Sequence, residues 1–224
     1  MKKLLSTVMC LTVISITPIA KAAPGDAALG LKAGTLGIGL ELTMEAMKNV
    51  NIRFGGNYFK ISTEVEVEDN DYDLDLKLNS YTALADWYVT DGSFRVTAGA
   101  FINENGLKGA ALPSNTYEIG DTVYTANEVG TLTANVDFAT VAPYLGIGWG
   151  NPLADDSDLT FMADLGIVFA GKPRLDIMST GGTLSNDPTL EANIAQAEQD
   201  FGDTDEISLL RFYPVISIGF NYRF

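Results

Sequence analysis

The chain has 224 residues, 46% of them hydrophobic and 10% aromatic, and carries 14 Lys+Arg against 29 Asp+Glu for a formal net charge of −15. That much apolar content excludes intrinsic disorder and suffices for one domain of ordinary size. So acidic a chain repels nucleic acid, and no nucleic-acid partner is expected. There is no histidine, which removes Ser-His-Asp and Cys-His catalysis and most zinc sites.

Residues 1–22 have the form of a secretory signal peptide. Lys2 and Lys3 open it, Leu4 to Ala20 is apolar with small polar breaks, and Ala20-Lys21-Ala22 supplies the small residues a signal peptidase reads. A membrane anchor is the rival reading. Pro18, the short apolar core and the Ala-x-Ala ending favour cleavage before Ala23. Cys10 stands too early for a lipoprotein site, and Thr7-Val8-Met9 before it lacks the small residues such a site needs. Cleavage removes three of the basic residues and the one cysteine, leaving 11 basic against 29 acidic, net −18. Disulfides are then excluded, although the compartment would allow them.

After a short segment at 23–28, the chain reads as strands by period-two alternation. In 36–42, Leu36, Ile38, Leu40 and Leu42 oppose Gly37, Gly39 and Glu41; in 51–58, Ile52, Phe54 and Tyr58 oppose Asn51, Arg53, Gly55 and Asn57. The strand at 74–89 begins with Leu74, Leu76 and Leu78 outward but loses phase near Ser80-Tyr81, which predicts a bulge. In 94–103, Phe94, Val96, Ala98, Ala100 and Ile102 oppose Arg95, Thr97, Gly99, Phe101 and Asn103. In 141–150, Val141, Pro143, Leu145, Ile147 and Trp149 oppose Ala142, Tyr144, Gly146, Gly148 and Gly150. In 159–170, Leu159, Phe161, Ala163, Leu165, Ile167 and Phe169 oppose Thr160, Met162, Asp164, Gly166, Val168 and Ala170. A helix is predicted over 187–201: Asp187 caps it, Pro188 takes the first turn, and Leu190, Ile194, Ala197 and Phe201 follow at helical spacing. It lies in the loop before the last strand, either within that loop or folded into the barrel mouth as a cap. From Leu210 to Phe224 a final strand alternates one apolar face with one mostly polar face.

One face of each strand is apolar while the other is small and polar. A soluble sandwich buries its apolar face, whereas a membrane barrel turns that face to lipid and keeps a polar interior. The last strand is long enough to cross a bilayer, which takes about 9–11 residues. Trp87, Tyr88, Trp149, Tyr222 and Phe224 near strand ends suit an interfacial girdle. Short connections at 43–49, 90–93 and 151–158 read as periplasmic turns, and longer polar ones at 64–72, 104–137 and 171–206 as extracellular loops. Seven strands can be delimited. Bacterial single-chain barrels have even strand numbers, so an all-β, antiparallel up-and-down barrel of about eight strands is expected. Gly30–Gly34 or the long loops hide the eighth.

The ending Ser217-x-Gly219-x-x-Tyr222-x-Phe224 resembles the C-terminal signature of outer-membrane β-barrels, where a polar residue, a glycine, an aromatic and a terminal Phe form an assembly signal. Residues 29–224 as a whole resemble small outer-membrane proteins of the OmpA-barrel, OmpW and opacity-protein type. The stretch Ala142-Pro143-Tyr144-Leu145-Gly146-Ile147-Gly148-Trp149 adds a weaker likeness. The resemblance implies a monomer in the outer membrane of a Gram-negative cell, surrounded by lipid and lipopolysaccharide. It also implies delivery by periplasmic chaperones and insertion by the barrel assembly machinery. No cell-wall-binding domain like that of full-length OmpA is expected after the barrel.

The acidic run Glu64, Glu66, Glu68, Asp69, Asp71, Asp73, Asp75 suggests Ca²⁺, but an EF-hand starting at Asp69 needs Gly sixth and Glu twelfth, where Leu74 and Ser80 stand. A solvated loop tip is the plainer reading. Gly37-x-Gly39 and Gly146-x-Gly148 alternate on strand faces with no helix following, so they are not phosphate loops. Known barrel enzymes resembling this architecture use a histidine, and no carboxylate pair here is singled out for acid–base work. No catalytic residue, cofactor or metal site is therefore expected. The lumenal charges Glu41, Arg53, Asp86, Arg95, Asp164, Arg211 and Arg223 are candidates to pair and block a narrow interior, since buried charges must be paired; Asp86 faces inward only if the bulge is present. Two roles follow: a non-enzymatic surface and structural barrel with a plugged lumen and interacting loops, or a small-solute channel of porin-like type.

Overall fold

The computed structural model describes residues 27–224 apart from 68–69, 91, 112–115, 121, 155–156 and 204–210. The export signal with Cys10, and Glu68 and Asp69 of the acidic run, lie outside the described residues. The first five strands are β1 (Ala27–Gly34), β2 (Gly37–Met47), β3 (Val50–Val67), β4 (Asn70–Tyr88) and β5 (Phe94–Asn103). Then come β6 (Gly106–Ala111), β7 (Thr116–Ile119), β8 (Thr122–Thr125), helix α1 (Ala126–Val129) and β9 (Gly130–Asp137). The chain continues through β10 (Val141–Trp149), β11 (Leu159–Phe169), β12 (Arg174–Gly181), helix α2 (Pro188–Asp203) and β13 (Phe212–Arg223).

Eight of these close an antiparallel barrel in the order β1-β2-β3-β4-β5-β10-β11-β13. The ring is sealed by β13 on β1, from Ala28↔Arg223 to Gly34↔Ser217. The eighth strand is thus β1, which alternates Leu29, Leu31 and Ala33 outward with Gly30, Lys32 and Gly34 inward. Its apolar run is too short and glycine-rich to announce itself.

The outer surface carries exposed Leu31, Ile38, Leu40, Phe54, Leu145, Leu165, Ile216, Ile218 and Phe220, among others, in a continuous belt. Water does not tolerate an apolar patch of that extent on a monomer, and a bilayer requires it. Among the described residues no helix is long and apolar enough to cross a membrane; the strands supply the crossing. Trp87, Trp149, Tyr222 and Phe224 are exposed on this belt at the periplasmic end. Tyr88 does not join them: the alternation of β4 points it into the lumen, where it is buried. Leu36 likewise turns inward, because it sits in the two-residue connection over the lumen between β1 and β2.

The strands do not stop at the membrane. The upper parts of β3 and β4 continue outward, and β6, β9 and β12 extend the lines of β5, β10 and β11 into a five-stranded extracellular sheet ordered β3-β4-β6-β9-β12. The connections at 64–72, 104–137 and 171–206 are therefore largely structured. No bulge interrupts β4 at Ser80-Tyr81: its register with β3 runs unbroken from Val50↔Trp87 to Val67↔Asn70. Leu74, Leu76 and Leu78 share the inward face with Ser80, Thr82, Leu84 and Asp86, so the sequence pattern inverts without a slip of the chain. The observed register shift lies instead in β2, between Glu45 and Met47.

Helix α2 lies on the extracellular side against β12 and β7. Asp187 accepts the Thr189 N–H at 2.8 Å and its carbonyl receives Glu191 N–H at 3.0 Å, which caps the first turn. Leu190 is fully buried with Tyr117, Ile119, Tyr124 and Val129. Glu198 accepts the Ile177 N–H at 2.7 Å, so the helix also covers part of the free edge of β12.

Candidate functional site: a charge network across the lumen

Register places the charges. Asp86 stands directly opposite Thr97, and Arg95 and Asp164 both face Gly148 from opposite sides. Lys32 faces Gly39 and Gly219, and Glu41 faces Gly30 and Gly55. Long charged chains are thus flanked by glycines on adjacent strands. A Cβ on Gly148 would lie 2.6 Å from the Arg95 guanidinium carbon, and one on Gly219 would lie 2.9 Å from Lys32 Cβ. The glycines leave the room in which side chains reach across the barrel.

Arg53 is the hub. Its Nη1 donates to both Glu41 oxygens at 3.1 and 3.2 Å, and its Nη2 donates to Asp86 Oδ1 at 3.0 Å and Asp164 Oδ1 at 3.1 Å. Arg95 Nη2 reaches the same Asp164 oxygen at 2.6 Å, while its Nη1 donates to the Gly150 carbonyl at 2.7 Å. Thr97 Oγ1 donates to Asp86 at 2.6 Å, and Lys32 Nζ to Glu41 at 2.8 Å. Three cations therefore meet three carboxylates and the cluster is neutral. Arg53, Arg95 and Asp86 are each at most 1% exposed. Ions this deeply buried are tolerated only when paired and hydrogen-bonded.

Below the network the periplasmic end is floored by Asn51, Tyr88, Asn151 and Pro152, with the Tyr88 hydroxyl donating to the Gly150 carbonyl at 3.2 Å. Above it lies an apolar layer of Leu36, Leu84, Phe101, Tyr144, Val168 and Val215. Tyr144 spans the lumen over Gly146 and Gly166, where any Cβ would come within 2.4 Å of its hydroxyl. Between the two layers, beside Arg53 and Asp164, remains a cavity of about 20 Å³, room for about one water.

Of the seven lumenal charges read from sequence, Glu41, Arg53, Asp86, Arg95 and Asp164 meet in this cluster. Arg223 does not: it sits at the rim of the periplasmic end, donating to the Ala154 carbonyl and 3.5 Å from Asp158. Arg211 does not either, because it lies at the extracellular end, where its carbonyl receives the Ala170 N–H. Lys32 and Thr97 are members that sequence reasoning missed; delimiting β1 by its Leu29/Leu31 alternation would have found Lys32. Ser217 and Gly219 of the C-terminal signature face the lumen, and Tyr222 and Phe224 face outward. Among the described residues no group of His, Cys, Asp and Glu has the arrangement to hold a metal ion; the three lumenal carboxylates are occupied by cations.

No family model matches the sequence, and no curated protein matches it either. Solved structures do. The Acinetobacter baumannii CarO2 structure superposes with a TM-score of 0.55 at 18% identity, covering 88% of this chain and 98% of that one. Acinetobacter baumannii CarO gives 0.52 at 21% identity, covering 90% and 98%. Neisserial surface protein A, at 11% identity over 88% of this chain and 93% of that one, has a TM-score of 0.34, too low to add to the assignment. The fold is that of small outer-membrane β-barrels, and at these identities the likeness concerns fold alone.

Proposed function

We propose that this protein is a non-enzymatic integral barrel of the outer membrane, exported by its N-terminal signal, with a lumen closed by the charge network and its working surface outside. The observation that carries this reading is the neutral cluster of Lys32, Arg53, Arg95, Glu41, Asp86 and Asp164, which spans the interior and leaves a cavity of only about 20 Å³ beside it. An ion or solute crossing here would have to displace paired groups and then cross the apolar layer of Leu84, Phe101 and Tyr144. That desolvation is costly. The extracellular sheet and α2 project beyond the lipid as an ordered platform, which suits recognition at the cell surface. On this reading Ser217, Gly219, Tyr222 and Phe224 serve insertion by the assembly machinery, and lipid and lipopolysaccharide surround a monomer.

The test is single-channel recording of the refolded protein in a planar bilayer, with folding confirmed by a heat-shifted gel band. A silent membrane is expected. Steady, reproducible conductance steps would overturn the plugged-lumen reading and make the protein a small-solute channel.

A further inference from the structure

Above the apolar layer, the inner face of the extracellular sheet does not close on itself. A cavity of about 360 Å³ remains at the barrel mouth, bounded by Leu36, Leu76, Leu78, Leu107, Val136 and Phe201. Leu107, Val136 and Phe201 also border an adjoining space of about 650 Å³ beneath α2 and the β7–β8 hairpin. The first cavity falls in the size range of small-molecule sites. It is more than twice the roughly 150 Å³ of an apolar cavity that stays dry and admits benzene.

Its chemistry is one-sided. Three polar atoms at its edge are already used: Asn105 Oδ1 accepts the Asn79 N–H at 2.8 Å, Asn103 Oδ1 accepts the Asn105 N–H at 3.1 Å, and the Tyr213 hydroxyl donates to the Thr35 carbonyl at 2.6 Å. Among the described residues, no charged side chain lines it. On the same sheet the charged Asp75, Lys77 and Lys108 alternate with the lining leucines and so point to the outer face. Water gains little in such a space, and an apolar void left empty is destabilising.

We infer that the extracellular mouth is a binding site for a small uncharged apolar molecule, a hydrocarbon ring or chain seated between the inner leucines of β4 and Phe201 of α2. The site is separate from the charge network and stands whether or not the lumen conducts.

The experiment uses the full barrel in lipid nanodiscs with ¹³C-labelled Leu and Val methyls, titrated with toluene as probe. A second sample contains lipid spin-labelled near the chain end. Saturable shifts at Leu76, Leu78 and Leu107 are expected, against linear, unsaturable drift at the lipid-facing Leu40 and Leu145. Broadening of the same cavity methyls by the spin label would identify a bilayer chain as the occupant; its absence would identify a free molecule from the medium. Val136→Trp, which fills the shared wall, should weaken toluene binding at least tenfold. Leu107→Phe serves if that variant does not give a heat-shifted folded band. Cavity methyls that neither saturate nor broaden, or the same affinity in a folded filled variant, would overturn the inference.

Discussion

Strand β4 passes through two environments and obeys opposite rules in them. In its membrane half, Ser80, Thr82, Asp86 and Tyr88 point inward with one apolar residue, Leu84, while Tyr81, Ala83, Ala85 and Trp87 point outward. In its extracellular half, Leu74, Leu76 and Leu78 occupy the inward positions, and Asp73, Asp75, Lys77 and Asn79 the outward ones. Backbone, register and phase are continuous across the boundary. What changes is the medium outside: hydrocarbon favours apolar side chains on the outer face, and water drives them to the inner one. The polar lumen and the apolar mouth cavity are two results of one rule.

Three substitutions sharpen that contrast, in falling order of effect. Arg53→Ala removes the hub and leaves Glu41, Asp86 and Asp164 to Lys32 and Arg95, which should cost about 3–5 kcal/mol. Urea unfolding from lipid vesicles reads it; a change below about 1 kcal/mol would mean that the carboxylates find water instead. Leu145→Arg, on the lipid face, should cost about 2–4 kcal/mol by the same measurement. Lys77→Leu puts an apolar residue on the outer face above the membrane and should stay within about 0.5 kcal/mol. Equal costs for those last two would erase the boundary between the lipid-facing and water-facing parts of the outer surface.

The smallest effect is at α2. The Thr189 N–H bonded to Asp187 holds that exposed carboxyl below its ordinary range. A group with a depressed folded pKa contributes its stabilisation above its unfolded value, near pH 4, and loses it as pH falls through the folded one. Protection of the amides in the first turn of α2, taken relative to the intrinsic exchange rate at each pH, should therefore fall below about pH 4. Asp187→Ala should show the lower protection already at neutral pH and no further loss on acidification. Exchange at Leu145 and Ile147 should not follow either change.

Much of this architecture is legible in the chain. A period of two over six well-defined strands, an apolar face opposed by glycines and scattered charges, and a capped helical stretch before the last strand are local patterns, and backbone geometry translates them directly. The inward direction of Arg53, Arg95, Glu41 and Asp164 follows from the same count. Alternation misled at Leu36, which lies in a turn rather than in a strand, and at Leu74–Leu78, because periodicity gives the two faces of a strand but not the solvent each one meets. The same gap hid the short strands β6, β9 and β12 in what read as loops.

The membrane barrel, its approximate strand number, the helix and a charged, glycine-lined interior could be read from the amino-acid order, since each depends on residues close together along one strand or helix. That Arg53 meets three carboxylates, that Lys32 belongs with them, that Arg211 and Arg223 do not, and that a cavity opens under Phe201 emerged from the folded chain alone. Those outcomes depend on register between strands far apart in the chain. A shift of one residue would turn every side chain to the other face, and a shift of two would keep the faces while separating the partners.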